Sequence, residues 1–137
     1  MHVTPVPTVL LLEPDRALAK TYHDLLVARG LRVVVAHHAQ DAIGCADAQT
    51  PTVVVADVQL GEHNGLEFLY EFRSYAEWRS IPVVVLTGVP PHNLLITGQH
   101  MDQLGIYACL YKPATTLRKL QQVVTEALAQ LPIVQAS

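Results

Sequence analysis

Five short apolar runs alternate along this chain with five segments of helical periodicity. Each run is almost continuously apolar and rich in Val, Leu and Ile, which is typical of a strand buried on both faces of a parallel sheet. The runs cover residues 9–12, 31–36, 52–56, 82–86 and 106–110, and the helical segments cover 16–29, 40–48, 66–75, 93–104 and 115–131. This alternation predicts parallel strands joined by helices that cover both faces of one sheet.

The chain length fits one such sheet and nothing larger. It has 137 residues, enough for a single domain with a substantial core. Five strands in this length favour an α/β fold of the flavodoxin-like (βα)₅ type, a doubly wound five-stranded parallel sheet with strand order 2-1-3-4-5. We expect the domain to span residues 8–131, with short tails at 1–7 and 132–137.

Composition excludes several classes of function. Half of the residues are apolar, only 15% are charged and the formal net charge is -3, so no basic surface for direct nucleic-acid binding is expected. The apolar runs are too short to span a membrane, and the N-terminus lacks the pattern of a secretory signal. Cys45 and Cys109 have no metal-type spacing and fit reduced thiols, which favours a cytoplasmic protein.

Residues capable of chemistry follow four of the predicted strands. Glu13-Pro14-Asp15 follows the first, Asp57 the third, Thr87-Gly88 the fourth and Lys112-Pro113 the fifth. The carboxyl ends of parallel strands lie along one edge of a sheet, which is where ligands bind in open α/β folds. Taken singly, Asp15 and Thr87 could be helix caps and Lys112 a solvated lysine. Taken together, the four features predict one shared pocket.

This ordered set resembles the response regulator receiver domain of two-component signalling, in the CheY-like superfamily. The resemblance covers about residues 8 to 131. It is carried by the acidic turn after the first strand, by Asp57 with Gly65 eight positions later, by Thr87 thirty positions after Asp57, and by Lys112-Pro113.

The resemblance implies a phosphoprotein and not an enzyme, beyond self-catalysed phosphorylation and dephosphorylation. Asp57 would accept a phosphoryl group from a histidine kinase and signal through protein–protein contacts, with Mg²⁺ as cofactor. The residues implied are Glu13, Asp57 and the backbone carbonyl of Gln59 for the metal, with Asp15 as a further candidate; Thr87, Gly88 and Lys112 for the phosphoryl group; and Pro113 as a candidate cis-proline. Lys112 itself would be held extended by the proline that follows it.

Three departures from the family pattern bear on the site. Pro14 stands where receivers usually carry a second, metal-binding acid, so we expect weakened Mg²⁺ binding. Cys109 stands at a switch position that usually holds an aromatic residue. Tyr107 and Tyr111 lie two positions away in the same strand, so either could supply bulk on the same face. Gly61 replaces a frequent proline, which predicts a more flexible loop after Asp57.

The implied partners are a sensor histidine kinase or phosphotransfer protein and a downstream protein that the sequence does not name. A homodimer through the face around the fourth helix is a further candidate, and one of the consecutive apolar residues 94–96 should be exposed there. Pro14 and Cys109 also leave open a phosphorylation-independent pseudo-receiver that acts as an interaction module. A flavin-binding enzyme is disfavoured, because the acidic turn at 13–15 would repel a phosphate.

Overall fold

The computed structural model describes residues 5–60, 63–64, 66–90 and 98–130. Its main sheet is parallel, has five strands and runs in the order β2-β1-β3-β6-β7, which confirms the predicted 2-1-3-4-5 arrangement. A short antiparallel pair, β4 with β5, follows β3. The strands are β1 (Thr8–Leu12), β2 (Arg32–Ala36), β3 (Val53–Asp57), β4 (Gln59–Leu60), β5 (His63–Asn64), β6 (Val83–Thr87) and β7 (Ile106–Tyr111).

Helices connect the strands and cover both faces of the sheet. They are α1 (Arg16–Val27), α2 (Ala39–Ala48), α3 (Leu66–Ser74), α4 (Gly98–Leu104) and α5 (Leu117–Ala129), with 3₁₀ turns at Ala76–Trp78 and Lys112–Ala114. The 3₁₀ turns and the β4–β5 pair were not predicted, because two or three residues carry no usable periodicity. The expected start of the fourth helix, the exposed residue among 94–96 and the flexibility at Gly61 lie outside the described residues.

The sheet separates two apolar layers, which explains why its central strands are apolar without alternation. Every residue of β1, β3 and β6 is buried. Leu10, Val54 and Val85 pack in the layer under α2, α3 and α4. Their neighbours in sequence pack in the opposite layer under α1 and α5. A strand covered on both faces needs apolar residues at odd and even positions alike. The continuous apolar runs in the sequence therefore follow from the burial of these strands.

Strand β7 carries an irregularity that changes which of its side chains share a face. Val83 pairs with Ile106 but Val84 pairs with Ala108, so Tyr107 is an extra residue in the ladder. Tyr107 packs in the α1/α5 layer, whereas Cys109 packs in the opposite one. The expectation that Tyr107 shares a face with Cys109 is therefore wrong, since it assumed uninterrupted alternation.

Arg73 fastens the C-terminal end of α3 to the amino-terminal edge of the sheet. Among the described residues, its guanidinium donates to main-chain carbonyls: Nε to Leu104 at 2.7 Å, Nη1 to Trp78 at 2.5 Å, and Nη2 to Ile81 and, at 3.2 Å, to Gly105. Burial lowers the pKa of Arg73 to about 10. These carbonyls come from the segments that precede β6 and β7, so one side chain connects three parts of the chain.

Gly105 makes room for this arrangement. Its φ is +62°, in the left-handed region, and a Cβ built there would lie 2.5 Å from Arg73 Nη2. Both the backbone conformation and the close approach therefore require glycine at this position.

No helix in the part of the chain that the structure describes is long and apolar enough to cross a membrane.

Candidate functional site

Four strands deliver polar residues to the carboxyl edge of the sheet, at the opposite end from Arg73. Glu13 directly follows β1, Asp57 ends β3, Thr87 ends β6 and Lys112 directly follows β7. Glu13, Asp57 and Thr87 are buried, and together with Thr8 they are the buried polar residues of the described chain. Buried polar groups are costly unless they are paired, so the partners of these side chains decide what the site can do.

Lys112 joins the two carboxylates. Its Nζ donates to Glu13 Oε1 at 2.5 Å and also donates to Asp57 Oδ2. The lysine side chain is 15% exposed, and the side chains of Glu13 and Asp57 are 1% and 4% exposed. Two carboxylates and one ammonium leave the cluster with one net negative charge. The three groups stabilise one another in a place where none would be tolerated alone.

The contacts in this cluster shift two pKa values. Burial raises the pKa of the Glu13 carboxyl, and the hydrogen bond from Lys112 opposes that effect without cancelling it. Burial alone would lower the pKa of Lys112, but its hydrogen bonds to Asp57 and Glu13 outweigh burial and raise it. Lys112 therefore stays protonated at neutral pH and supplies a permanent positive charge beside Asp57.

The turn after β1 fixes the direction of Glu13. Its Oε2 accepts a hydrogen bond from the Asp15 backbone N–H at 3.1 Å, and its backbone N–H donates to Ala36 O at 3.0 Å. His37 Nδ1 lies 2.9 Å from the Glu13 carbonyl oxygen. The sequence assigned no role to His37, although its position directly after β2, the neighbour of β1, places it beside this turn.

Asp15 lies outside the pocket. Its Oδ1 accepts a hydrogen bond from the Leu18 backbone N–H at 2.9 Å, so it is the N-cap of α1. Both Pro14 and Asp15 are exposed. Asp15 is therefore a helix cap and not a further metal ligand, because its carboxylate does not lie with those of Glu13 and Asp57.

Thr87 is fully buried, and its hydroxyl contacts the connection that follows β6. Oγ1 donates to Val89 O at 2.7 Å and accepts from the Val89 backbone N–H at 3.1 Å. Gly88 lies between Thr87 and Val89, directly after β6, and β6 pairs with the strand that ends at Asp57. Sequence reasoning did not single out Val89, because a hydroxyl-to-main-chain turn of this kind has no strong residue signature beyond the threonine itself.

The expected geometry at Lys112 and Pro113 is wrong in two respects. No peptide bond is cis among the described residues, so the bond before Pro113 is trans. Lys112 is also not extended: it begins the 3₁₀ turn Lys112–Ala114, in which Thr115 N–H donates to Lys112 O at 3.1 Å. Trans is the default state of a bond before proline, and the preference for an extended preceding residue is only a tendency.

The two remaining predicted positions are close in sequence to members of the cluster. Gln59 lies two residues beyond Asp57, and its backbone belongs to β4, which pairs with β5. Cys109 is half-buried on the α4 side of β7, and burial raises the pKa of its thiol. A protonated, half-buried thiol is small and weakly polar, so it cannot act there as an aromatic side chain would.

The residues do not fit a resident Mg²⁺ ion as they are arranged. Among the described residues, no group of three or more His, Cys, Asp or Glu side chains could hold a metal. The two carboxylates at the site, Glu13 and Asp57, are both bound to Lys112. Pro14 offers no oxygen in its side chain, and Asp15 caps a helix. Magnesium prefers several oxygen ligands in octahedral geometry, so the lysine would have to yield its place.

Comparison with known proteins agrees with the fold and identifies the family. The family model for the response regulator receiver domain matches residues 9–125. The polar-differentiation response regulator DivK of Brucella anthropi is 25% identical over 116 residues, which are 85% of this chain and 92% of DivK. The alginate biosynthesis transcriptional regulatory protein AlgB of Pseudomonas putida is 30% identical over 107 residues, which are 78% of this chain but 23% of AlgB.

Solved structures agree on the architecture. The chemotaxis response regulator CheY4 of Vibrio cholerae superposes with a TM-score of 0.78 at 20% identity, over 90% of this chain and 99% of CheY4. A sensor protein from Polaromonas sp. JS666 gives a TM-score of 0.80 at 20% identity, over 90% of this chain and 97% of that one. With the family model matched over most of its length, this chain belongs to the response regulator receiver domains of two-component signalling.

Proposed function

We propose that this domain accepts a phosphoryl group on Asp57 from a histidine kinase or phosphotransfer protein in the cytoplasm, and signals through protein–protein contacts. The observation that carries the proposal is the contact of Lys112 Nζ with Asp57 Oδ2 at the carboxyl end of β3. It places a permanent positive charge beside a buried carboxylate, where a phosphoryl group would add negative charge. The similarity to DivK, a polar-differentiation response regulator, supports a role of this kind.

The chemistry is a transfer between two nucleophiles. A carboxylate oxygen of Asp57 attacks the phosphorus of a phosphohistidine, the P–N bond breaks, and the departing imidazole takes up a proton. The product is an acyl phosphate on Asp57. Such transfers depend mainly on positioning and on neutralising the charge of the phosphoryl oxygens. Lys112 would supply that charge, and the buried strand ends would hold the reacting groups in place.

Thr87 would change its hydrogen bonds when Asp57 is phosphorylated. To donate to a phosphoryl oxygen, its hydroxyl has to give up the hydrogen bond that it donates to the Val89 carbonyl. The segment after β6 would then lose a constraint, which would change the surface that a downstream partner contacts. With Cys109 at the switch position, this release would not be accompanied by the movement of an aromatic ring there.

Receiver domains generally bind Mg²⁺ at the phosphorylation site. For this chain we propose that Mg²⁺ binding is weak, because Pro14 replaces an acid and Lys112 already occupies both carboxylates. Glu13 and Asp57 would supply carboxylate oxygens to such an ion, and the Gln59 backbone carbonyl is a further candidate ligand.

Acetyl phosphate with excess MgCl₂, followed by intact-mass measurement, tests the proposal. We expect the wild type to gain the mass of one phosphoryl group and Asp57→Asn to gain none. Glu67→Gln, which changes an exposed carboxylate on α3, is the matched control and should label like the wild type. Absence of label on the wild type, under conditions that label a control receiver, would reject phosphorylation of Asp57.

A second candidate is a phosphorylation-independent pseudo-receiver, favoured by the closed Glu13–Lys112–Asp57 cluster and by Pro14. A lysine that satisfies both carboxylates gives a stable pocket without phosphate. This candidate predicts that Asp57→Asn changes neither partner binding nor cellular output. Loss of output in that variant, in a protein that folds normally, would favour the phosphoacceptor instead.

A further inference from the structure

A groove separates α1 from β2, the strand at one edge of the main sheet. Its volume is about 360 Å³, which is within the range of sites for small molecules. Ala19 of α1 and Val35 of β2 give it an apolar lining, and Val35 packs in the α1/α5 layer. The other residues that line the groove have charged or imidazole side chains: Arg16, Lys20, His23, Asp24 and His37.

The charge of this groove is opposite to that of the whole chain. Arg16 and Lys20 are cations at neutral pH, and Asp24 is the single acid among the lining residues. With neutral histidines the groove therefore carries one net positive charge, whereas the chain carries a formal net charge of -3. A local excess of positive charge in a concave surface attracts anions.

Arg16 is the cation of the groove that is least occupied by protein groups. Lys20 Nζ lies 3.0 Å from Asp24 Oδ2, whereas Arg16 has no ion-pair partner within the part of the chain that the structure describes. Arg16 is also exposed and is the first residue of α1, where the helix dipole disfavours a cation. The first turn of α1 contains no acid. A bound anion would offset both the charge of Arg16 and the dipole.

The two histidines add hydrogen-bond acceptors to the groove. His23 Nδ1 lies 3.0 Å from Asp24 Oδ1, and His37 Nδ1 lies 2.9 Å from the Glu13 carbonyl oxygen. Both oxygens only accept hydrogen bonds, so each neutral imidazole carries its proton on Nδ1 and keeps Nε2 as an acceptor. Among the described residues, no group of His, Cys, Asp and Glu side chains could hold a metal, so a metal does not explain these histidines.

A phosphomonoester has the chemistry that this combination requires. Its oxygens accept hydrogen bonds from ammonium and guanidinium groups, and the planar guanidinium of Arg16 suits two of them at once. Its second pKa is about 6, so near neutral pH it can carry one proton and donate that proton to an imidazole nitrogen. Sulfates and carboxylates are fully ionised at this pH and have no proton to donate. Ala19 and Val35 offer apolar surface to the organic part of such a molecule.

We infer that the groove between α1 and β2 is a binding site for a small phosphomonoester with an apolar organic part. The phosphate contacts Arg16 and Lys20 and donates a hydrogen bond to the imidazole of His23 or His37. This site is separate from the proposed phosphoacceptor, and its test needs no transfer of a phosphoryl group to Asp57. The two proposals can therefore fail independently.

Calorimetric titration with phenyl phosphate at neutral pH and low salt tests the inference. We expect one molecule to bind per chain in the millimolar range or tighter, and inorganic phosphate and phenol, which each supply one part of the ligand, to bind more weakly. Arg16→Gln should weaken binding about tenfold, because it removes charge-assisted hydrogen bonds. Arg118→Gln, at an exposed position on α5, is the matched control and should bind like the wild type, as should Asp57→Asn.

Phenyl sulfate tests the role of the histidines, because it has the same ring and charged oxygens but no proton to donate. The wild type should prefer phenyl phosphate, and His23→Leu or His37→Leu should lose that preference. Equal affinity for the two compounds in the wild type, or an unchanged preference in both histidine variants, would overturn the inference. So would the absence of saturable binding, an equal effect of Arg16→Gln and Arg118→Gln, or loss of binding in Asp57→Asn, which would place the ligand in the Asp57 pocket.

Discussion

Two cations lie at opposite edges of the same sheet, and their partners differ in kind. Lys112 at the carboxyl edge is held by two carboxylates, whereas the hydrogen bonds of Arg73 at the amino edge go to main-chain carbonyls, and its guanidinium lies over the Phe72 ring. Their pKa values shift in opposite directions: that of Lys112 is raised and that of Arg73 is lowered to about 10. Pairing with formal charge outweighs burial at the first, and burial prevails at the second.

The Lys112 cluster is a candidate functional site, whereas the contacts of Arg73 with the main chain form a structural clamp. The Lys112 cluster brings together charges that a phosphoryl group could rearrange, so its stability and its chemistry are linked. The Arg73 cluster only satisfies carbonyls at the start of β6 and β7, and it should matter for stability alone. Four substitutions test this distinction.

Lys112→Met should have the largest effect on stability. It leaves Glu13 and Asp57 buried together without a counter-charge, and breaking a buried ion pair in this way costs about 3–5 kcal/mol in the free energy of unfolding. Urea denaturation measures the loss. Adding Glu13→Gln and Asp57→Asn to Lys112→Met should recover much of it, since the uncompensated charges are then gone. Equal losses in the single and triple variants would show that the lysine acts through packing instead.

The pH dependence of this difference follows from the raised pKa of Lys112. A base whose pKa is raised in the folded state contributes stability that is fully present below its ordinary value, here 10.5, and is lost as pH rises through the folded-state value. The stability gap between wild type and Lys112→Met should therefore stay constant from neutral pH to near 10 and close above 10.5.

Arg73→Met should cost less, about 2 kcal/mol, because the acceptors that it leaves are uncharged carbonyls, some of which can turn to water. Phosphorylation of Asp57 by acetyl phosphate should be unchanged under conditions where the variant is folded. Arg118→Met, at an exposed position on α5, is the matched control and should stay within about 0.5 kcal/mol of wild type. Loss of phosphorylation in folded Arg73→Met would break the distinction between site and clamp.

Gly105→Ala should cost about 1–2 kcal/mol, from the positive φ and from the collision of its Cβ with the Arg73 guanidinium. The two causes can be separated by a double-mutant cycle. In the Arg73→Met background the steric part disappears and only the backbone strain remains, so the penalty should fall. An unchanged penalty would mean that Arg73 moves aside without cost.

Asp15→Ala should have the smallest effect, about 1 kcal/mol, which is typical for loss of an N-cap. Because its carboxylate caps α1 outside the pocket, the affinity for Mg²⁺ should not change. Asp41→Ala is the matched control. It removes a carboxylate from the first turn of α2, where no side chain makes a cap hydrogen bond. A weaker affinity for Mg²⁺ in Asp15→Ala alone would show that Asp15 reaches the metal.

The sheet was predictable because burial on both faces leaves a continuous apolar signature, as in Val53 to Ala56. The joint placement of Glu13, Asp57 and Lys112 was also predictable, since the carboxyl ends of parallel strands must share an edge. The contacts at these ends were not. Whether Asp15 caps a helix or turns inward, and whether Thr87 faces Val89, depends on competition among hydrogen bonds that differ little in energy. The contacts of Arg73 could not be predicted, because main-chain carbonyls carry no sequence signal.

The location of the phosphoryl group is the most direct test of Asp57 as the phosphoacceptor. After transfer from a phosphorylated histidine kinase or phosphotransfer protein, or from acetyl phosphate, borohydride reduction converts an aspartyl phosphate into homoserine, which peptide sequencing by mass spectrometry locates. We expect homoserine at position 57 in the wild type and none in Asp57→Asn. An unmodified Asp57 after treatment that labels a control receiver, or modification at Glu13 instead, would contradict it.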